Sequence, residues 1–170
     1  MLQAFEDRLK SIADGDLADF HEKIRERAGK KATAILEKRL KNLILMTPRL
    51  LQRSFHHSAR TEVPSSVKNL TGFALTYFYH PKDFIPEDNQ HLFGYLDDAY
   101  YVGLLYERIL KSLARARLAV SGFDRTFLKQ FGLAKRSIRL VIPNEAEQIE
   151  QIINRIQAGE ETAMANAFES

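Results

Sequence analysis

Residues 77–98 read YFYHPKDFIPEDNQHLFGYLDD. Three helix breakers (Pro81, Pro86, Gly94) and five carboxylates (Asp83, Glu87, Asp88, Asp97, Asp98) are gathered in this one stretch. On either side the apolar residues keep a helical period: Val67, Leu70, Phe73, Ala74, Tyr77 and Phe78 before it, and Ala99, Val102, Leu105, Tyr106, Ile109, Leu110, Leu113 and Leu118 after it. Proline disfavours helical geometry at the residue that precedes it, so Pro81 ends the first helix by about Tyr79. A helix, an acidic corner and a second helix follow from the stretch itself. The fold class is therefore all-α, with this hairpin as its central corner.

Outward from the corner the same period continues in both directions. Downstream, the helix after the corner is predicted to run from Leu96 to Val120 and to be broken at Gly122, and Asp124 is placed to cap a short amphipathic helix through Phe131. Residues Ser137–Ile142, SIRLVI, have a brief period of two; a connector or short helix is favoured, since a lone strand has nothing to pair with. Pro143 then opens a last helix with Asn144 and Glu147 spaced as a capping box and Ile149, Ile152, Ile153 and Ile156 as its core face. Upstream, Leu2 to Ala28 reads as two helices, or as one bent near Gly15, with Asp14 or Asp16 as cap and Gly29 as terminator. A basic amphipathic helix with Ile35 in its apolar stripe follows to Met46. Thr47 and Pro48 signal a restart, so a separate helix is predicted from Pro48 to His57, and Ser58–Ser66 reads as a linker. The sum is a single-domain bundle of about six or seven helices over residues 1–158, with 159–170 as a disordered tail.

Composition narrows the class of protein. The chain of 170 residues is 45% hydrophobic and 28% charged, as in ordinary globular domains. It has no cysteine, so thiolate chemistry and cysteine zinc sites are excluded and a reducing, cytoplasmic compartment is expected. The first residues lack a signal-peptide core, and no apolar run approaches the roughly 20 residues that span a bilayer. The net charge of +3 conceals blocks: residues 1–62 carry +4, 63–106 carry −3, 107–142 carry +7 and 143–170 carry −5. Such alternation suits an anionic partner, or an acidic last helix lying on a basic one.

The corner matches a known pattern. Tyr77, Pro81, Asp83, Ile85, Pro86, Glu87 and Asp88, then Gly94, Leu96, Asp97 and Asp98, follow Tyr-x-x-x-Pro-x-Asp-Leu-Ile-Pro-Asp and Gly-x-Leu-Asp-Asp. Over about residues 70–110 the chain resembles the YkvA-like family, domain of unknown function 1232. Phe84 stands where that family has leucine, and Asp88–Leu92 is more polar than the usual apolar segment, which weighs against a membrane-facing loop. The resemblance implies a helical hairpin and no established activity.

Physical chemistry gives the motif a structural role. Asp83 can accept turn amides, Pro86 fixes a bend, Gly94 permits the entry angle, and Asp97 and Asp98 sit at a helix start where negative charge is favoured by roughly 0.3–1 kcal/mol each. A site is the alternative: His80, Asp83, Asp88, His91, Asp97 and Asp98 would converge on a divalent cation or form an acid and base pair in a metal-dependent, hydrolase-like centre. No metalloprotease, phosphate-loop or nucleophile-elbow spacing is present. A third reading places an anion on Arg108, Lys111 and Arg115, which share a helix face, and extends to nucleic acid or a peripheral contact with anionic lipid. His56 and His57, being adjacent, point to different sides and are expected in surface or cap roles. The reading favoured by the residues is a non-catalytic interaction module that binds a protein partner through its basic or aromatic surface.

Overall fold

The computed structural model describes residues 2–78, 84–85 and 91–159, with 77 and 78 as backbone only. Among the described residues seven α-helices occur: α1 (Leu2–Asp14), α2 (Ala18–Ala28), α3 (Ala34–Ser58), α4 (Ser65–Phe78), α5 (Leu96–Arg115), α6 (Gly122–Val141) and α7 (Pro143–Gln157). Short 3-10 turns precede α3 (Gly29–Lys31) and α5 (Leu92–Tyr95), and no strand is found among the described residues. Helix α5 is the axis. It packs against α3, α4, α6 and α7, and fifteen of its twenty residues are buried. Tyr100, Tyr101 and Tyr106 are fully enclosed there, and each aromatic ring buried in this way removes on the order of 150–250 Å² from water.

Local signals explain most helix ends. Asp16 Oδ1 accepts the Ala18 amide at 2.8 Å at the start of α2, and Gly29, with φ of 54°, ends it in a backbone conformation that glycine adopts without penalty. Thr33 Oγ1 accepts the Leu36 amide at 3.2 Å and caps α3. Ser121 and Asp124 form a reciprocal capping box at the start of α6.

Four boundaries differ from the sequence expectation. Helix α3 runs through Thr47 and Pro48 without a restart. Proline forfeits one intrahelical bond, but buried residues on both sides of it, from Leu36 to His57, hold one face of the helix in the common core. Helix α5 stops at Arg115 and not at Val120: Arg117 takes a left-handed φ of 57°, and the Leu118 amide donates to Leu113 O at 2.9 Å. This is the six-to-one bond of a Schellman end, formed with arginine where glycine is usual. All of SIRLVI but its last residue belongs to the end of α6, with Ile142 as the C-cap, because Ser137, Ile138 and Val141 are buried on the same stripe as Phe127, Phe131 and Ala134. Asn144 and Glu147 make no capping box, since Pro143 already occupies the first helical position and puts Asn144 inside the helix. The tail expected over 159–170 lies outside the described residues except for Gly159.

Candidate functional site

The acidic corner is built around Asp97. Its carboxylate is fully buried, and Oδ2 accepts the Ile85 amide at 2.9 Å, tying the loop to the first turn of α5. Asp98, one residue on, is also buried. Both occupy the first turn, where the partial positive charge of the helix end favours a carboxylate. The segment 91–95 is plugged into the N-terminal helices. Phe93 and Tyr95 are buried, Lys23 and Arg27 lie over the Phe93 ring at 5.7 and 5.6 Å, and Arg8 lies 5.8 Å from the Tyr95 ring. Gly94 is buried within the same turn, its amide donating to His91 O at 3.2 Å. His91 faces Asp19 of α2 at 3.6 Å. Among the described residues no group of three or more His, Asp or Glu side chains is placed to hold a metal ion. The other members of the proposed cation site and motif, His80, Pro81, Asp83, Pro86, Glu87 and Asp88, and the side chain of Tyr77, lie outside the described residues.

A second polar centre joins α3, α5 and α6. Asp124 is wholly buried. It accepts from Arg53 Nε at 2.8 Å, Arg53 Nη2 at 3.1 Å, Tyr106 Oη at 2.6 Å and the Ser121 amide at 2.7 Å. Burial alone would raise its carboxyl pKa, but these donors outweigh burial and hold it down at about 2. Burial pushes the Tyr106 phenol up, and its bond to Asp124 adds to the shift. His57 belongs here, and not to the surface: its ring is buried, with Nε2 3.5 Å from Asp124 Oδ2. Loss of water lowers its pKa; Asp124 opposes that shift, and Arg53, His56 and Arg60 reinforce it. With its acceptors occupied and no exposure, Asp124 serves as a joint between helices.

The predicted anion face is largely consumed by internal partners. Arg108 Nη2 donates to Asn154 Oδ1 at 3.2 Å, and Lys111 lies 3.2 Å from Glu107. Arg115 instead lines a cleft against Ile156 and Gln157 of α7. Glu107 also receives Lys135 at 2.9 Å; burial raises its carboxyl, and Lys135 and Lys111 more than reverse that. The anticipated pairing of the acidic last helix with a basic one is realised through Arg139 and Glu150 at 2.8 Å, with Tyr100 Oη donating to the same carboxylate.

A groove of about 250 Å³ runs between α3 and α6. Leu43, Phe127, Phe131 and Ala134 form its buried base. Ile35 and Leu133 stand at its rim, 70% and 47% exposed, and are the large hydrophobic side chains left in solvent among the described residues. Lys38 and Arg39 line it as well, and no lining residue is acidic. The sequence reading put Ile35 in the core stripe; Leu36 takes that inward position. The signal available was the width of the stripe, since Ile35 and Leu36 cannot both face inward on one narrow face.

The fold is that of an all-α protein whose enclosed central helix starts at an acidic corner. The model of the family described as "Protein of unknown function (DUF1232)" matches residues 67–104. The match takes in most of α4, the corner and the first half of α5, and so bears out the resemblance read from the motif. No curated protein and no solved structure matches the chain.

Proposed function

We propose that this chain is a non-catalytic interaction module that docks a partner protein in the groove between α3 and α6. The observation that carries the reading is the pair of exposed aliphatic side chains, Ile35 and Leu133, standing over a concave apolar base, the large hydrophobic side chains left exposed among the described residues. Exposed apolar surface with a polar rim is the physical mark of a docking site, because its burial by a partner is favourable by roughly 25 cal/mol per Å² before the costs of association. The polar centres elsewhere are absorbed by the fold. Asp97 anchors the corner, and Asp124, Glu107 and Glu150 each hold two or more helices together.

A photo-crosslinking residue placed at Leu133 in cells should yield a discrete protein adduct that is lost when Ile35→Asp is introduced, while the same residue at exposed Gln151 on α7 yields none. Equal adducts at both positions, or an adduct indifferent to Ile35→Asp in a chain whose circular dichroism is unchanged, would overturn the reading.

A further inference from the structure

Charge is distributed unevenly among the helices, and the two walls of the groove take most of it. Helix α3 carries Lys38, Arg39, Lys41, Arg49 and Arg53 against Glu37 alone, and α6 carries Arg125, Lys129, Lys135, Arg136 and Arg139 against Asp124 alone. No other α-helix has more than a single net positive charge. Both lone acids are engaged: Glu37 lies 2.9 Å from His21 Nδ1 and Asp124 is taken by Arg53. Lys38, Lys129 and Arg136 are exposed and make no ion pair among the described residues. Of these cations, Lys38 and Arg39 line the apolar groove itself, and no acidic residue lines it.

We propose, resting on the docking role of this groove, that its occupant is an acidic amphipathic helix of a partner protein. Its bulky apolar residues would seat on Phe127, Phe131 and Leu43, and its carboxylates would meet Lys38 and Arg39. Three features select this occupant. The base is concave, which fits side chains projecting at i, i+3 and i+4 from a helix and is not reached by a flat lipid surface. The exposed residues at the rim are aliphatic, whereas single-stranded nucleic acid is held by stacking on aromatic rings. A second copy of this chain, applied face to face, would bring the same cations against each other.

The test is a phage-displayed library of 18-residue helices, with apolar residues fixed at i, i+3, i+4 and i+7 and the other positions drawn equally from Glu, Lys and Gln, selected on the full chain. Glu should be enriched at the flanking positions. Synthetic winners should lose binding on Leu133→Asp and weaken about tenfold on the double change Lys38→Glu and Arg39→Glu, which turns two rim ion pairs into repulsions. Their affinity should fall between 50 and 500 mM salt. Enrichment of Lys or Gln equal to that of Glu overturns the acidic occupant and leaves groove docking intact. Winners that ignore Leu133→Asp overturn both. Binding of duplex DNA or of phosphatidylserine vesicles that is lost on Leu133→Asp, or a sedimenting dimer that Leu133→Asp dissociates, overturns the proposal in favour of that occupant.

Discussion

Asp124 shows how one side chain couples three helices to pH. Its carboxyl sits at about 2 in the folded chain against an ordinary 3.8, so the unfolded chain binds the proton more readily and the stability it contributes is complete above pH 4 and lost as pH falls toward 2. His57 acts in the same direction at higher pH. Its folded pKa lies below the ordinary 6.5 because burial disfavours the charged ring, so stability begins to fall as pH drops below 6.5. Thermal melts from pH 8 to pH 2 should show both declines, and His57→Phe should flatten the upper one alone. Asp124→Asn should cost about 3 kcal/mol by urea denaturation, the lower end for breaking a buried ion pair, since Arg53 keeps some contact with water. The sequence disclosed Asp124 as part of a helix start, where Ser121 is the N-cap and Asp124 its capping-box partner one turn in. It could not disclose the arginine and tyrosine that meet the carboxylate from residues 53 and 106, because nothing in local spacing brings those positions together.

At Gly103 of α5 the Phe131 ring of α6 fills the space where a side chain would stand. A methyl group there would come within 2.5 Å of Phe131 Cε2 and 2.9 Å of Cζ, and the ring has little room to move, stacked on Phe127 with centroids 5.0 Å apart. Gly103→Ala should therefore cost about 1–3 kcal/mol as overpacking. Adding Phe131→Leu should recover part of that loss, so the double-mutant cycle reads a favourable coupling of roughly 0.5–3 kcal/mol. A stability unchanged by Gly103→Ala would show that the two helices can separate freely. Helix existence was legible in the apolar period, and so were the ends fixed by local chemistry at Asp16 and Gly29. At Pro48 and across SIRLVI the local preference points one way and burial the other, and a helix with a continuous buried face tolerates the loss of one hydrogen bond or one poor residue. At Arg117 the misreading ran the other way: the apolar period continues to Leu118, but a left-handed residue closes the helix.

Over the whole molecule, charge and apolar surface were legible only as totals. The block count showed that residues 107–142 are basic, but the groove exists because α3 and α6 lie side by side, with Arg39 donating to Ser137 across 98 positions of sequence. The acidic corner was legible as a corner, and Asp97 supplies its buried anchor. The enclosure of α5 by its four neighbours has a consequence for how the molecule opens. Amide protons exchange with solvent only when their hydrogen bonds are exposed, and those in the middle of α5, from Tyr100 to Ile109, have no partial opening that reaches water without parting α3, α4, α6 and α7. In deuterium-exchange measurements under native conditions these amides should share a single protection energy equal to the global unfolding free energy, while α1, with only Leu9 and Ala13 buried, exchanges from a smaller local opening.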